Sequence, residues 1–164
     1  MPDLVSKEQL LDNMRAQRAR VVAVVAEVPE AHWSEGRYED GWTARDILAH
    51  IASIEWTYPR ILDLADKAKE PEPPKEPSKP RPPRLGDYNQ RQVAKRADVT
   101  VQDLLEEFER NRAATIAAVE QADEDLLRER VRTAGGVEGT AAEALNFLAV
   151  IHLDQHLDDL RGTS

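Results

Sequence analysis

Two histidines near the end of this 164-residue sequence, His152 and His156, are four positions apart. On an α-helix such residues project from one face on adjacent turns, which brings their ring nitrogens within reach of a single ion. A third histidine, His50, falls among Ile47 and Ile51 in another predicted helix and points inward by the same geometry. Three neutral imidazoles favour a divalent first-row ion such as Zn²⁺ or Ni²⁺ and leave positions for water or substrate. We therefore interpret these three histidines as metal ligands.

The alternative interpretation is that the inward histidines are core residues whose ring nitrogens are satisfied within the protein. Burying an imidazole without a partner carries a desolvation cost, and a bound metal would offset it. Two of the three residues also have ligand spacing, which favours the metal. The fourth histidine, His32, lies beside Trp33 in a connection and is predicted to be a loop residue.

Four segments with helical periodicity must position these side chains. Each begins with Ser or Thr, followed three residues later by Gln, Asp or Glu, a pattern typical of a helix N-terminus. Apolar residues then recur at three- and four-residue spacing. The predicted helices run from Ser6 to about Val28, from Thr43 to Ile61, from Thr100 to about Ala122, and from Thr140 to Gly162.

Prolines and glycines divide the chain between and within these helices. Pro59 removes an amide donor and crowds the preceding turn, which predicts a kink or break between Trp56 and Tyr58. Residues 70–86 form a long connection whose prolines favour extended polyproline geometry, and we expect a solvated linker there, with a lid or a docking motif as alternatives. After it, residues 87–97 are expected to form a short helix or an irregular turn. The glycine-containing residues 123–139 are expected to be a flexible connection.

The number and type of these segments predict the fold class. Strand patterns are almost absent, since no segment alternates apolar and polar residues over a useful length. We expect an all-α protein, a four-helix bundle in which a long Pro-rich crossover joins the second and third helices. Residues 1–164 are expected to form one domain.

Composition restricts the chemistry and the partners. The sequence contains no cysteine, so it offers no disulfide, no thiolate nucleophile and no cysteine-bound zinc. The formal net charge of −9 repels phosphate backbones, and we expect no nucleic-acid partner. No apolar stretch approaches the roughly 20 residues that span a bilayer, and no signal peptide is evident, so we expect a cytoplasmic protein without membrane contact.

Two stretches around the histidines resemble motifs of a known family. Residues 41–50, GWTARDILAH, resemble the Trp-Thr/Ser, Asp and Leu-x-His signature of the DinB-like superfamily, and residues 151–160, IHLDQHLDDL, resemble its C-terminal His-x-x-x-His helix. The superfamily includes the metal-binding domain of mycothiol-dependent maleylpyruvate isomerases. The resemblance implies a four-helix bundle in which His50, His152 and His156 hold a divalent metal. The charged, proline-rich segment departs from the family pattern.

Four further side chains are candidates for a role beyond metal binding. Arg18 and Arg112 interrupt apolar stripes, and each is expected either to bind a carboxylate of a substrate or thiol cofactor or to pair with a carboxylate at the bundle rim. Asp159 shares the sector of His152, so it is a candidate for orienting an imidazole or for an ion pair near the bundle mouth. Asn89 stands where many relatives of the family carry an aromatic-Asn pair, which places it near the site by resemblance.

The sequence is compatible with two functions. The resemblance implies a metal-dependent enzyme, a thiol-dependent S-transferase or isomerase that acts on a small electrophile with a low-molecular-weight thiol as cofactor. Because the chain has no cysteine, that sulfur would come from solution. The alternative is a non-catalytic bundle that binds a metal or small molecule, or a dimerising interaction module, which the acidic surface and Pro-rich insert suit. In either case we expect a homodimer.

Overall fold

Helices dominate the chain in a computed structural model that describes residues 5–34, 42–68, 85–133 and 136–161. In chain order they are α1 (Lys7–Glu27), α2 (Ala44–Glu55), α3 (Pro59–Ala68), α4 (Leu85–Lys95), α5 (Val101–Gln121), α6 (Glu124–Arg128), α7 (Ala141–Asn146) and α8 (His152–Arg161). A 3-10 turn at Glu30–Ser34 follows α1, and a π-helical turn at Phe147–Ile151 joins α7 to α8. α1, α2 with α3, α5, and α7 with α8 form the four rods of an all-α bundle, which confirms the predicted fold class.

The four predicted caps fix where the rods begin. At each of them a hydroxyl accepts a hydrogen bond from the backbone amide three residues on, at 3.1 Å. At three of the caps the side chain three residues on also accepts from the amide of the capping residue, which completes a capping box. The four capping residues are Ser6, Thr43, Thr100 and Thr140.

The second rod breaks where Pro59 predicts it, because α2 ends at Glu55 and α3 begins at the proline itself. Residues 87–97 are largely helical, as part of α4, and α4 packs against α2. The predicted Pro-rich connection, residues 70–86, lies mostly outside the described residues, which resume at residue 85.

The prediction of a flexible connection over residues 123–139 is wrong for most of that range. It contains α6 and an antiparallel hairpin of β1 (Arg130–Arg132) and β2 (Glu138–Thr140), with Val131 paired to Gly139. Strands of three residues are too short to show a recognisable alternation of apolar and polar residues in the sequence. The hairpin leads directly into α7, since Thr140 both ends β2 and caps the helix.

A buried ion pair joins α5 to the end of α2. Arg112 of α5 is fully buried, and its Nε lies 2.8 Å from Oε1 of Glu55 at the end of α2. Burial raises the pKa of Glu55, whereas the Arg112 guanidinium and the hydroxyl of Thr115 act in the opposite direction. Such a pair is costly to break because the remaining charge has no compensation.

No helix among the described residues is both long enough and apolar enough to cross a membrane.

We predict that Arg112→Met lowers the free energy of unfolding by about 3–5 kcal/mol, because it leaves the carboxylate of Glu55 buried without its cation. Urea unfolding followed by circular dichroism measures this change. The double variant Glu55→Leu/Arg112→Met removes both charges and should recover part of the loss. A single variant as stable as the wild type would contradict the importance of the pair.

Candidate metal centre

The three histidines that the sequence singles out meet between α2 and α8. The ring centroid of His156 lies 4.6 Å from that of His152 and 5.0 Å from that of His50, and both contacts are edge-on. One ligand nitrogen from each ring lies within 4.8 Å of those of the other two, and the Nε2 atoms of His152 and His156 are 3.1 Å apart. Residues 106 positions apart in the chain, His50 and His156, therefore converge on one point.

The beginning of α2 holds His50 in place from two directions. The capping box of Thr43 and Asp46 fixes the first turn of the helix, two turns before the imidazole. The ring of Trp42 lies 5.3 Å from that of His50, and its Nε1 donates a 3.1 Å hydrogen bond to Gln90 of α4. The tryptophan therefore connects the histidine to the helix that packs on the outside of α2.

Burial keeps the three imidazoles in the neutral form, which is the form that binds a metal. Desolvation, reinforced by the other two histidines, lowers the pKa of His50 from 6.5 to about 3. Desolvation and the neighbouring His152 lower the pKa of His156 to about 4, although Asp159 acts in the opposite direction. Desolvation also lowers the pKa of His152. His50 is 5% exposed, whereas the other two are half-buried.

The donor set fits a divalent first-row ion on two observations. Nδ1 of His50 is buried and makes no hydrogen bond, so this imidazole is held in the interior with an unsatisfied nitrogen. Two nitrogens bound at about 2.1 Å to one ion lie roughly 3.0–3.4 Å apart at octahedral or tetrahedral angles, and the 3.1 Å between His152 and His156 falls in that range. The same distance also suits a hydrogen bond between the two neutral rings.

The structure pairs Arg112 closely with a carboxylate of the protein, whereas Arg18 makes only a long contact with one. Besides its ion pair with Glu55, Arg112 donates to the backbone carbonyls of Ala149 and Met14, at 2.8 and 3.3 Å. Arg18 is half-buried, and its nearest acidic partner is Glu109, at 3.9 Å. The expectation of an inward guanidinium is correct for Arg112, yet its donors are directed at the protein.

The other two candidates are Asp159 on α8 and Asn89 on α4. Oδ2 of Asp159 is 4.0 Å from Nδ1 of His156, so this carboxylate faces His156 rather than His152, with which the sequence grouped it. Asn89 is half-buried on α4, next to Gln90, which accepts the hydrogen bond from Trp42. His32 lies in the 3-10 turn after α1, and it is not one of the three converging histidines.

Sequence reasoning missed the π-helical turn that precedes His152. Buried residues recur every four positions along the fourth rod, whereas a regular α-helix would rotate such a row by about 40° at each step. A π-helical turn accommodates about one extra residue, so it restores most of that rotation. The unbroken four-residue spacing was therefore a readable signal of the turn. The buried row consists of Ala141, Leu145, Ala149, Leu153 and Leu157.

Comparison with known families settles the relationship of the chain. The sequence profile of the DinB superfamily matches residues 13–160. The chain belongs to the DinB superfamily. This confirms the resemblance that the motifs around the histidines carry, and the matched region contains all three of them.

Solved structures show the same fold at low sequence identity. A mycothiol-dependent maleylpyruvate isomerase superposes with a TM-score of 0.71 at 21% identity, over 94% of this chain, and a histidine-to-alanine mutant of that isomerase gives 0.67. The chain spans about 60% of the length of that isomerase. The colibactin self-resistance protein ClbS, in complex with double-stranded DNA, gives 0.66 at 15% identity over 97% of this chain and 95% of its own.

The comparisons do not support every expectation about partners. No curated protein sequence matches the chain significantly. One similar structure contains DNA, so the comparisons give no support to the expectation, drawn from net charge, that nucleic acids are excluded as partners.

We predict that the metal-free protein loses stability as the pH falls from 7 to 5. The unfolded chain, with histidine pKa values near 6.5, binds protons that the folded chain does not take up until the pH nears 4 or 3. The free energy of unfolding is therefore highest above pH 6.5 and declines below it. His50 alone accounts for a loss of about 1–2 kcal/mol at pH 5. Urea unfolding at each pH measures the loss, which His50→Gln should reduce. Equal stability of the wild type at pH 7 and pH 5 would rule out the lowered pKa values.

Proposed function

We propose that this protein is a metal-dependent enzyme in which His50, His152 and His156 hold a divalent ion, with Zn²⁺ and Ni²⁺ as the first candidates. We further propose that it transfers or isomerises a small electrophile with a low-molecular-weight thiol. The observation that carries the proposal is the convergence of three neutral imidazoles, one with an unsatisfied buried nitrogen. Such an ion, when bound, would lower the pKa of a coordinated thiol and supply the nucleophile that a chain without cysteine lacks.

The residues around the cluster have separate roles in this proposal. The buried His50 holds the inner side of the site, while the half-buried His152 and His156 leave the outer side accessible to a thiol and a substrate. Asp159 lies 4.0 Å from Nδ1 of His156, and in this proposal it orients that ring. Phe147 stacks on His152 at 6.5 Å and is 43% exposed, so it offers an apolar surface beside the cluster.

The likeness to the thiol-dependent isomerase supports this reaction class, since that protein has the same fold over nearly the whole of this chain. The chain spans only about 60% of the isomerase, so the activity of the whole isomerase is not carried over with the fold. The specific thiol is left to experiment, with mycothiol, bacillithiol and glutathione as the probes.

A second candidate function is a non-catalytic module that binds a metal or small molecule or mediates dimerisation. The commitment of Arg112 to Glu55 favours it, because this fully buried guanidinium is not placed to hold a carboxylate of a thiol cofactor or substrate. Under this alternative the imidazoles bind an ion for structural or sensing purposes.

We predict that the purified wild-type protein binds one equivalent of Zn²⁺ or Ni²⁺ and that His50→Ala weakens binding by more than about a hundredfold, because one of three ligands is lost. Isothermal titration calorimetry and metal analysis measure the affinity and stoichiometry. His32→Ala is the matched control, since it removes a histidine outside the cluster and should retain wild-type binding. Undetectable binding by the wild type, or equal binding by both variants, would refute the metal site.

We predict that the metal-loaded protein converts an electrophile catalytically when a thiol is present, and that a chelator abolishes the turnover. Haloaromatic and epoxide electrophiles test for transfer, which loss of free thiol measures, and maleylpyruvate tests for isomerisation, which returns the thiol and is measured by conversion of the substrate. Turnover that is absent while metal binding is intact would exclude the enzyme and favour the binding module. Turnover that persists in His50→Ala with a chelator present would contradict the role of the metal.

A further inference from the structure

The π-helical turn before His152 is held by side chains from three other elements. Three successive backbone carbonyls of the turn, those of Leu148, Ala149 and Val150, each accept a hydrogen bond from a distant donor. The donors are the hydroxyl of Tyr58, at 3.2 Å, the Nη2 of Arg112, at 2.8 Å, and the Nε2 of Gln17, at 3.3 Å.

These bonds suit the geometry of the turn. A π-helical turn interrupts the regular i to i−4 ladder, and backbone carbonyls in a packed interior need other donors where the ladder is disturbed. Tyr58, Arg112 and Gln17 are all buried, so water does not replace them easily. Burial also raises the pKa of Tyr58, which keeps its hydroxyl protonated and able to donate.

The turn sets the direction in which the two histidines of α8 point. Removing the extra residue of a π-helical turn would rotate every following side chain by about 100° relative to α7. With the turn in place, Leu153 and Leu157 continue the buried row, and His152 and His156, each one position earlier, reach His50. A turn that relaxed to α-helical geometry would move both imidazoles away from it.

Arg112 joins the two elements that carry the histidines. The same guanidinium that donates to Ala149 also pairs with Glu55, five residues after His50 on α2. Its two contacts therefore link α2 to the turn directly before α8, through a group that is fully buried.

We infer that Gln17, Tyr58 and Arg112 are positioning residues for the metal centre. They act through the backbone carbonyls of the π-helical turn to fix the rotation of α8, and Gln17 also donates a 2.8 Å hydrogen bond to Asp154 of α8 itself. This inference rests on the proposed metal site, because its function is to aim two of the three ligands. The three side chains do not contact the ion in this scheme, and their effect reaches it only through the orientation of His152 and His156.

The test compares Co²⁺ binding in the full-length wild type, Tyr58→Phe and the double variant Gln17→Met/Tyr58→Phe. Tyr58→Phe removes only a hydroxyl, and Gln17→Met keeps the length of the side chain. We expect the double variant to bind Co²⁺ about tenfold more weakly, as for other groups that orient metal ligands, and to show an altered visible absorption band, since that band depends on coordination geometry. The single variant should show a smaller change in the same direction.

Lys7→Met is the matched control. Lys7 also donates to two backbone carbonyls, those of Glu120 and Ala122 at the end of α5, both at 2.7 Å. Its loss should lower the melting temperature while the Co²⁺ affinity and spectrum stay as in the wild type.

Three outcomes would overturn the inference, and they are distinguishable. If the wild type binds Co²⁺ and His50→Ala does not, but the double variant retains wild-type affinity and spectrum, the metal site stands and the positioning role fails. If Lys7→Met changes the affinity and spectrum as much as the double variant, the effect reports general stability and the positioning role also fails. If neither the wild type nor His50→Ala binds Co²⁺, the proposed metal site itself fails.

Discussion

Three imidazoles that approach one another in a desolvated corner are the constraint on which the rest of the structure depends. Each of them is kept neutral by burial, and Nδ1 of His50 has no hydrogen-bond partner. An unsatisfied buried nitrogen costs folding free energy, so a fold that retains one needs an offsetting interaction. The three converging imidazoles offer a donor set for a divalent ion, and in the proposed function the free energy of binding that ion would offset this cost.

The bundle positions the three histidines mainly by fixing how α2 and α8 are rotated about their own axes. The capping box at Thr43 and the ring of Trp42 fix the beginning of α2, and the π-helical turn fixes the phase of α8. The buried pair of Arg112 and Glu55 connects the two. A buried ion pair of this kind contributes little net stability compared with apolar packing, because the desolvation of two charges offsets much of their attraction.

Much of the fold was predictable from the sequence because its signals are local. The four caps, the break at Pro59 and the ligand spacing of His152 and His156 each depend on residues within one or two turns. The hairpin before α7 was missed because its strands are three residues long. A carboxylate partner for Arg112 was one of the expected alternatives, but Glu55 was not identified because it lies 57 positions away in the chain. Helical periodicity predicts the direction in which a side chain points, but the residue that it contacts depends on how the helices pack against one another.

X-ray absorption spectroscopy at the edge of the bound metal tests the central claim most directly. It reports which atoms surround the ion and at what distance, independently of any activity. The account predicts three imidazole nitrogens at about 2.0–2.1 Å, with the remaining ligands being light oxygen atoms in the absence of thiol. A first shell with no imidazole scattering, or one that is unchanged in His152→Ala/His156→Ala, would contradict it.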